Sequence, residues 1–210
     1  MDKIDIIKKL GEEKVVAVIR AESAEQGFKI IDAVKKGGIK FLEITLTVPG
    51  AIDIIKELSQ KYKNDEVFIG AGTVLDSETA RMAILAGANY IVSPMFSEEV
   101  LRLCNRYRIA CMPGVQTIKE IVSALELGAD IIKVFPGDAY SPNIIKSFKG
   151  PLPQANFMPT GGVSIANIKD WLNAGAYAVG TGSSLTAGAK SGDYEAVTKA
   201  AMEFVEAAKN

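Results

Sequence analysis

The segment A-D-I-I-K-V-F-P-G-D, residues 129–138, has the apolar run of a buried strand with Lys133 at its centre. A second run, F-L-E-I-T at 41–45, carries Glu43 in the same way. Lysine and glutamate are rarely buried, because their charged forms lose hydration. A lysine held among apolar neighbours has its pKa pushed down from ~10.4. Its neutral amine can then attack a carbonyl and form a Schiff base. The protonated imine is an electron sink, and a carboxylate such as Glu43 can move protons to and from the carbinolamine and the adjacent carbon. The plainer reading of the two residues is an ion pair that neutralises itself.

Two glycine-rich stretches could supply the other half of a site. P-T-G-G-V-S (159–164) and G-T-G-S-S-L (180–185) each follow a strand-like run. Backbone amides free of bulky side chains, next to a helix N-terminus, favour an anion. Either stretch alone could be a tight turn. Together they point to a phosphate ester as substrate.

Positioning these residues requires alternating elements. Strand-like runs occur at 15–19, 41–45, 67–71, 90–93, 109–112, 131–135, 156–160 and 177–181, with helical patterns between them. Ser23-x-x-Gln26 and Thr117-x-x-Glu120 fit the capping box, and Asp76 fits an N-cap. L-A-G-A-N-Y-I-V, E-L-G-A-D-I-I-K-V and N-A-G-A-Y-A-V-G form a weak repeat, with G-G-I-K-F-L-E-I a looser copy. Their glycines suit the left-handed position that closes a helix. Eight βα units predict one domain over 1–210, a parallel (β/α)8 TIM barrel with an N-terminal helix. A doubly wound open sheet gives the same alternation.

Strand parity orients the polar residues. Leu42, Ile44 and Leu46 share one face and must meet the outer helices, so Glu43 and Thr45 point inward. The same argument turns Lys133 inward and sets Arg20 at the barrel mouth after V-V-A-V-I. The carboxyl ends of the strands are where such barrels carry their active sites.

Composition removes other chemistries. The 210 residues include no histidine, 24 Lys and Arg against 25 Asp and Glu, and a net charge of −1. With no histidine, a zinc mechanism is not expected, and proton transfer falls to carboxylates, lysine, tyrosine or cysteine. The near-neutral, mixed charge suggests neither nucleic acid nor a membrane surface. The N-terminal M-D-K-I-D-I-I-K-K-L lacks a signal-peptide core, and Cys104 and Cys111 do not form a disulfide framework. A reduced, cytoplasmic setting is expected. Lysine, carboxylate, no metal and a phosphate pocket together describe a class I aldolase.

The chain resembles the 2-keto-3-deoxy-6-phosphogluconate (KDPG) aldolase family, which includes 4-hydroxy-2-oxoglutarate (KHG) aldolases. The matching pieces are V-V-A-V-I-R, F-L-E-I-T-L-T, I-G-A-G-T-V, I-V-S-P, M-P-G-V-Q-T, I-K-V-F-P-G, P-T-G-G-V and G-S-S-L. The resemblance implies Lys133 as Schiff-base lysine and Glu43 as general acid/base, with no metal or other cofactor. It places Thr73 on the pyruvyl carboxylate and Pro94 in the pocket wall, and Thr45 belongs to the same pyruvyl end. Thr160, Gly161, Gly162, Gly182 and Ser183 form the phosphate end. It also implies cleavage of a phosphorylated keto acid to pyruvate and glyceraldehyde 3-phosphate, and a homotrimer.

One departure stands out. Many members read T-L-R-T where this chain reads T-L-T-V, so Thr47 replaces the expected carboxylate-binding arginine, and Arg20 is expected to supply that charge. Gluconate- and galactonate-derived substrates are not separated, nor is the efficiency on unphosphorylated KHG. A phosphosugar isomerase, or a non-catalytic phosphometabolite-binding protein, would share the fold and the phosphate loops. Neither needs the Lys133–Glu43 pair. Asp138 receives no role.

Overall fold

Alternating parity along short apolar strands gives each strand a helix-facing side and an enclosed side, and the computed structural model, which describes residues 2–209, follows that rule. The helices are α1 (Lys3–Glu13), α2 (Ala24–Lys36), α3 (Ala51–Lys61), α4 (Ser77–Leu85), α5 (Glu98–Arg106), α6 (Ile118–Glu126), α7 (Asn143–Lys149), α8 (Ile168–Asn173) and α9 (Tyr194–Lys209). The strands are β1 (Val15–Ile19), β2 (Phe41–Thr45), β3 (Phe68–Gly72), β4 (Tyr90–Val92), β5 (Ala110–Met112), β6 (Gly114–Val115), β7 (Ile132–Val134), β8 (Phe157–Pro159) and β9 (Val179–Thr181).

The fold is α/β with parallel strands. A six-stranded sheet has the order β5-β4-β3-β2-β1-β9, and a three-stranded sheet the order β6-β7-β8. The eight expected strands are thus drawn differently at one place. Pro113 separates β5 from β6, since a proline has no N–H to give a ladder; its carbonyl still accepts from Lys133 N at 2.9 Å. At the other margin a single parallel bridge joins Thr160 to Gly180.

Two apolar clusters occupy the two sides of the strands. Ala17, Ile19, Leu42, Ile44, Ile69 and Val134 pack against the helices. Val16, Phe41, Phe68, Tyr90, Met112 and Ile131 form the enclosed cluster, joined by Ile6 and Leu10 of α1. Phe41 and Phe68 stack there with centroids 4.5 Å apart. Phe41, Phe68 and Tyr90 open their strands, so α1 seals the amino-terminal end and leaves the carboxyl-terminal end for polar side chains. Burying each such large side chain contributes roughly 1.5–3 kcal/mol.

The start and stop signals act as expected. Thr117 and Glu120 form a reciprocal capping box, and Asp76 accepts from Thr79 N. Ser23 accepts from Gln26 N, but the Gln26 side chain caps Glu22 N instead of Ser23. The repeat glycines Gly87, Gly128 and Gly175 have φ of 102°, 80° and 98°, the left-handed turn that ends each helix. No helix among the described residues is long and apolar enough to cross a membrane.

Candidate active site

Glu43 and Lys133 enter the enclosed side from β2 and β7. Glu43 is 0% and Lys133 4% exposed, and Glu43 Oε1 lies 3.8 Å from Lys133 Nζ. Neither carboxylate oxygen has a hydrogen-bond partner among the described residues. Burial pushes the Glu43 pKa above the ordinary carboxylate range, against the pull of the Lys133 and Arg20 charges. Burial pushes the Lys133 pKa down; the Glu43 charge opposes this and the Arg20 charge adds to it. Lys133 Nζ also sits 4.8 Å from the centroid of the Phe135 ring.

Glycines make room for this pair. A Cβ on Gly72 would collide with Oε1, Cγ and Cδ of Glu43. A Cβ on Gly114, the β-neighbour of Lys133, would collide with the backbone of Pro94. Pro94, half-buried, is thereby held against the strand beside the lysine. Alternate glycines inside a strand signal such close approach, and I-G-A-G at 69–72 carried that signal in the sequence.

At the expected pyruvyl end, Arg20 follows β1 and is exposed, with no hydrogen bond or ion pair among the described residues. Thr45 is buried and inward as expected, but its hydroxyl donates to the Ile19 carbonyl at 2.9 Å and lies 2.8 Å from Thr47 Oγ1. Its proton is committed to the backbone, leaving acceptor capacity. Thr73 immediately follows β3 with φ 58°. A β-branched residue there is strained by about 1–3 kcal/mol, an outlier of the kind that collects at ligand sites.

The expected phosphate residues come from two adjoining loops. Ser184 Oγ and Thr181 Oγ1 both donate to the Val163 carbonyl, at 2.8 and 3.3 Å, and tie the loops together. Gly161 and Gly162 are left-handed, with φ of 98° and 69°. Asp138, without a role from the sequence, packs against this turn: a Cβ on Gly162 would lie 2.8 Å from its Cβ. Asn167 braces the turn from below, donating to the Gly162 carbonyl at 2.9 Å and accepting from Ser164 N. Thr160 is 4% exposed, and its hydroxyl has no partner among the described residues. Gly182 and Ser183 open on a cavity of about 510 Å³ shared with Arg20, Gln26, Thr186 and Lys190. The walls of that cavity do not include Lys133 or Glu43. Among the described residues no group of three or more His, Cys, Asp or Glu side chains could hold a metal ion.

Known proteins resemble the chain over most of its length. A family model described as "KDPG and KHG aldolase" matches residues 6–200. The chain is 33% identical over 198 residues to the KHG/KDPG aldolase of Escherichia coli K12, covering 93% of this chain and 92% of that one. It is also 33% identical over 194 residues to the 2-dehydro-3-deoxy-6-phosphogalactonate aldolase of the same organism, covering 92% and 93%. Among solved structures it resembles KDPG aldolase from Legionella pneumophila, crystallised with pyruvate captured at low pH as a covalent carbinolamine. The TM-score is 0.84 at 29% identity, over 92% of this chain and 94% of that one.

Proposed function

Because the chain belongs to the KDPG and KHG aldolase family of carbon–carbon lyases, we propose that it is a Schiff-base aldolase acting through Lys133 on 2-keto-3-deoxy-6-phosphogluconate. In this reading the neutral Nζ adds to the keto carbon, and loss of water from the carbinolamine leaves a protonated imine. Glu43 accepts the proton of the C4 hydroxyl as the C3–C4 bond breaks, and the electron pair of that bond flows into the imine. Glyceraldehyde 3-phosphate departs. Glu43 returns a proton to C3 of the enamine, and water releases pyruvate.

Arg20, Thr73 and Thr45 hold the pyruvyl carboxylate, with Pro94 in the wall. Thr160, Gly161, Gly162, Gly182 and Ser183 take the phosphate. No metal or other cofactor enters the scheme. The two sheets are read as one closed (β/α)8 barrel in a single domain, working as a homotrimer. The hydrogen bond from Lys133 N to the Pro113 carbonyl and the Thr160–Gly180 bridge support closure.

The observation that carries the reading is a lysine 4% exposed, beside a fully buried carboxylate with no hydrogen bond among the described residues. A phosphosugar isomerase has no use for that lysine. Incubation with pyruvate and borohydride tests it: a stable adduct mapping to Lys133 is expected, and none in Lys133→Ala, which also loses turnover. Turnover near the wild-type rate in Lys133→Ala would remove the Schiff base from the account.

A galactonate-derived substrate is the second reading, favoured by equal identity to the phosphogalactonate aldolase. Comparing kcat/KM on the gluconate and galactonate substrates and on KHG, with one enzyme preparation, decides among them.

A further inference from the structure

Tyr90 carries a buried hydroxyl that the reaction sequence above does not use. It stands directly across β3 from Glu43, since Glu43 pairs with Gly70 and Gly70 with Tyr90. The residue between them therefore has no side chain. A Cβ on Gly70 would collide with Cε2 and Cζ of Tyr90, so the phenol lies over β3 with its hydroxyl-bearing carbon above that glycine. The Glu43 carboxylate leans over the same strand at Gly72, one inward position further on. Two glycines on one face of β3 thus seat the phenol and the carboxylate as neighbours.

Both groups are sealed, each 0% exposed. Neither the Tyr90 hydroxyl nor either Glu43 oxygen has a hydrogen-bond partner among the described residues. A donor without an acceptor and an acceptor without a donor, enclosed together, are costly unless each serves the other. Packing does not require the hydroxyl, because Phe41 and Phe68 fill the same enclosed layer and the Phe41 ring lies 5.6 Å from that of Tyr90. Burial and the facing Glu43 charge both hold the phenol protonated, which makes it a donor. No direct hydrogen bond joins the two groups, and a single enclosed water is what would satisfy both.

We propose that Tyr90 is a positioning residue for Glu43, its hydroxyl donating to the carboxylate through one enclosed water. The inference rests on the proton-transfer role proposed for Glu43. The charged groups facing that carboxylate are Lys133 from β7 and Arg20 beyond β1; β3 offers it only Gly70 and Gly72. Tyr90 supplies a neutral donor from β4.

Tyr90→Phe keeps the ring and deletes the hydroxyl. Exchange of the pyruvate methyl hydrogens in deuterium oxide is expected to slow about tenfold, the size of one lost hydrogen bond to a charged group. The acid limb of that exchange moves to higher pH, because a donor favouring the ionised carboxylate is gone. Pyruvate KM and borohydride trapping at Lys133 stay at wild-type values. In a Glu43→Gln background the same substitution has little further effect. Unchanged exchange and an unmoved acid limb, with trapping intact, overturn this inference and leave the aldolase reading standing. An equal loss in the Glu43→Gln background also overturns it, by making the effect one of packing. No pyruvate adduct on the wild-type protein overturns both.

Discussion

Glu43 Oε1 stands 3.8 Å from Lys133 Nζ, near enough for each charge to act on the other yet beyond hydrogen-bond reach. The two side chains are 1% and 5% exposed. Burial pushes the carboxylic acid up and the amine down, so each is drawn towards its neutral form. A structural ion pair needs close geometry and further hydrogen bonds to offset its desolvation, and among the described residues Glu43 has neither. The separation instead leaves the amine without a direct hydrogen bond to the carboxylate, free to meet a carbonyl as a nucleophile.

The pH dependence of adduct formation follows from these directions. Lys133 must be neutral to attack, so trapping with pyruvate rises as pH passes upward through its lowered pKa. The Glu43 charge works the other way and holds that pKa up. Glu43→Gln removes this restraint, and the rising limb of trapping moves to lower pH. Methyl hydrogen exchange, which needs the carboxylate, falls about 10²- to 10⁴-fold in the same variant. A rising limb displaced to higher pH would contradict the electrostatic account.

Arg20 is exposed and has no hydrogen-bond or ion-pair partner among the described residues, so little of the fold depends on it. Arg20→Ala is expected to shift the unfolding midpoint by no more than a surface change does, within about 0.5 kcal/mol. Pyruvate KM should rise about 10- to 100-fold, the value of a charge-assisted contact to carboxylate. Arg20→Lys should recover part of this, lacking the paired donors of guanidinium. Wild-type kinetics in Arg20→Ala would take Arg20 out of the site.

The inward turn of Glu43 and Lys133 was legible because a period of two is a local property of each strand. Leu42, Ile44 and Val134 pack outward as that period requires. The edges were less legible. The apolar run 131–135 reads as one strand, but the ladder covers Ile132–Val134, and Phe135 precedes a proline that restricts it. M-P-G at 112–114 displayed its proline, yet that the strand resumes beyond it depends on the partner offered by Lys133. Asp138 and Tyr90 could not be read at all from their own segments. Each is defined by a glycine on another element, Gly162 for one and Gly70 for the other, and those encounters exist only after folding.

Gly162 gives a test that separates the proposed phosphate end from the proposed pyruvyl end. Its φ of 69° and the 2.8 Å approach to Asp138 Cβ oppose any side chain. Gly162→Ala should cost about 1–3 kcal/mol of stability. It should also raise KM for the phosphorylated substrate while leaving kcat/KM on KHG near wild type. Adding Asp138→Gly, which deletes the opposing Cβ, should restore part of the stability, read as a denaturant midpoint. An equal loss on both substrates would separate the turn from phosphate recognition.

Thr73 offers the opposite trade. Its φ of 58° is a conformation glycine adopts at no steric cost, whereas a β-branched threonine is strained there. Thr73→Gly relieves that strain and in return loosens the unfolded chain, an offset of about 0.4–1 kcal/mol. Stability should therefore hold or rise slightly, even though a side chain has been removed. If the strain is retained to aim the hydroxyl at the pyruvyl carboxylate, pyruvate KM should rise in the same variant, with trapping at saturating pyruvate little changed. Thermal unfolding and KM measured on one preparation test both halves. A variant that is less stable, with an unchanged KM, would make Thr73 a structural residue and leave the carboxylate to Arg20.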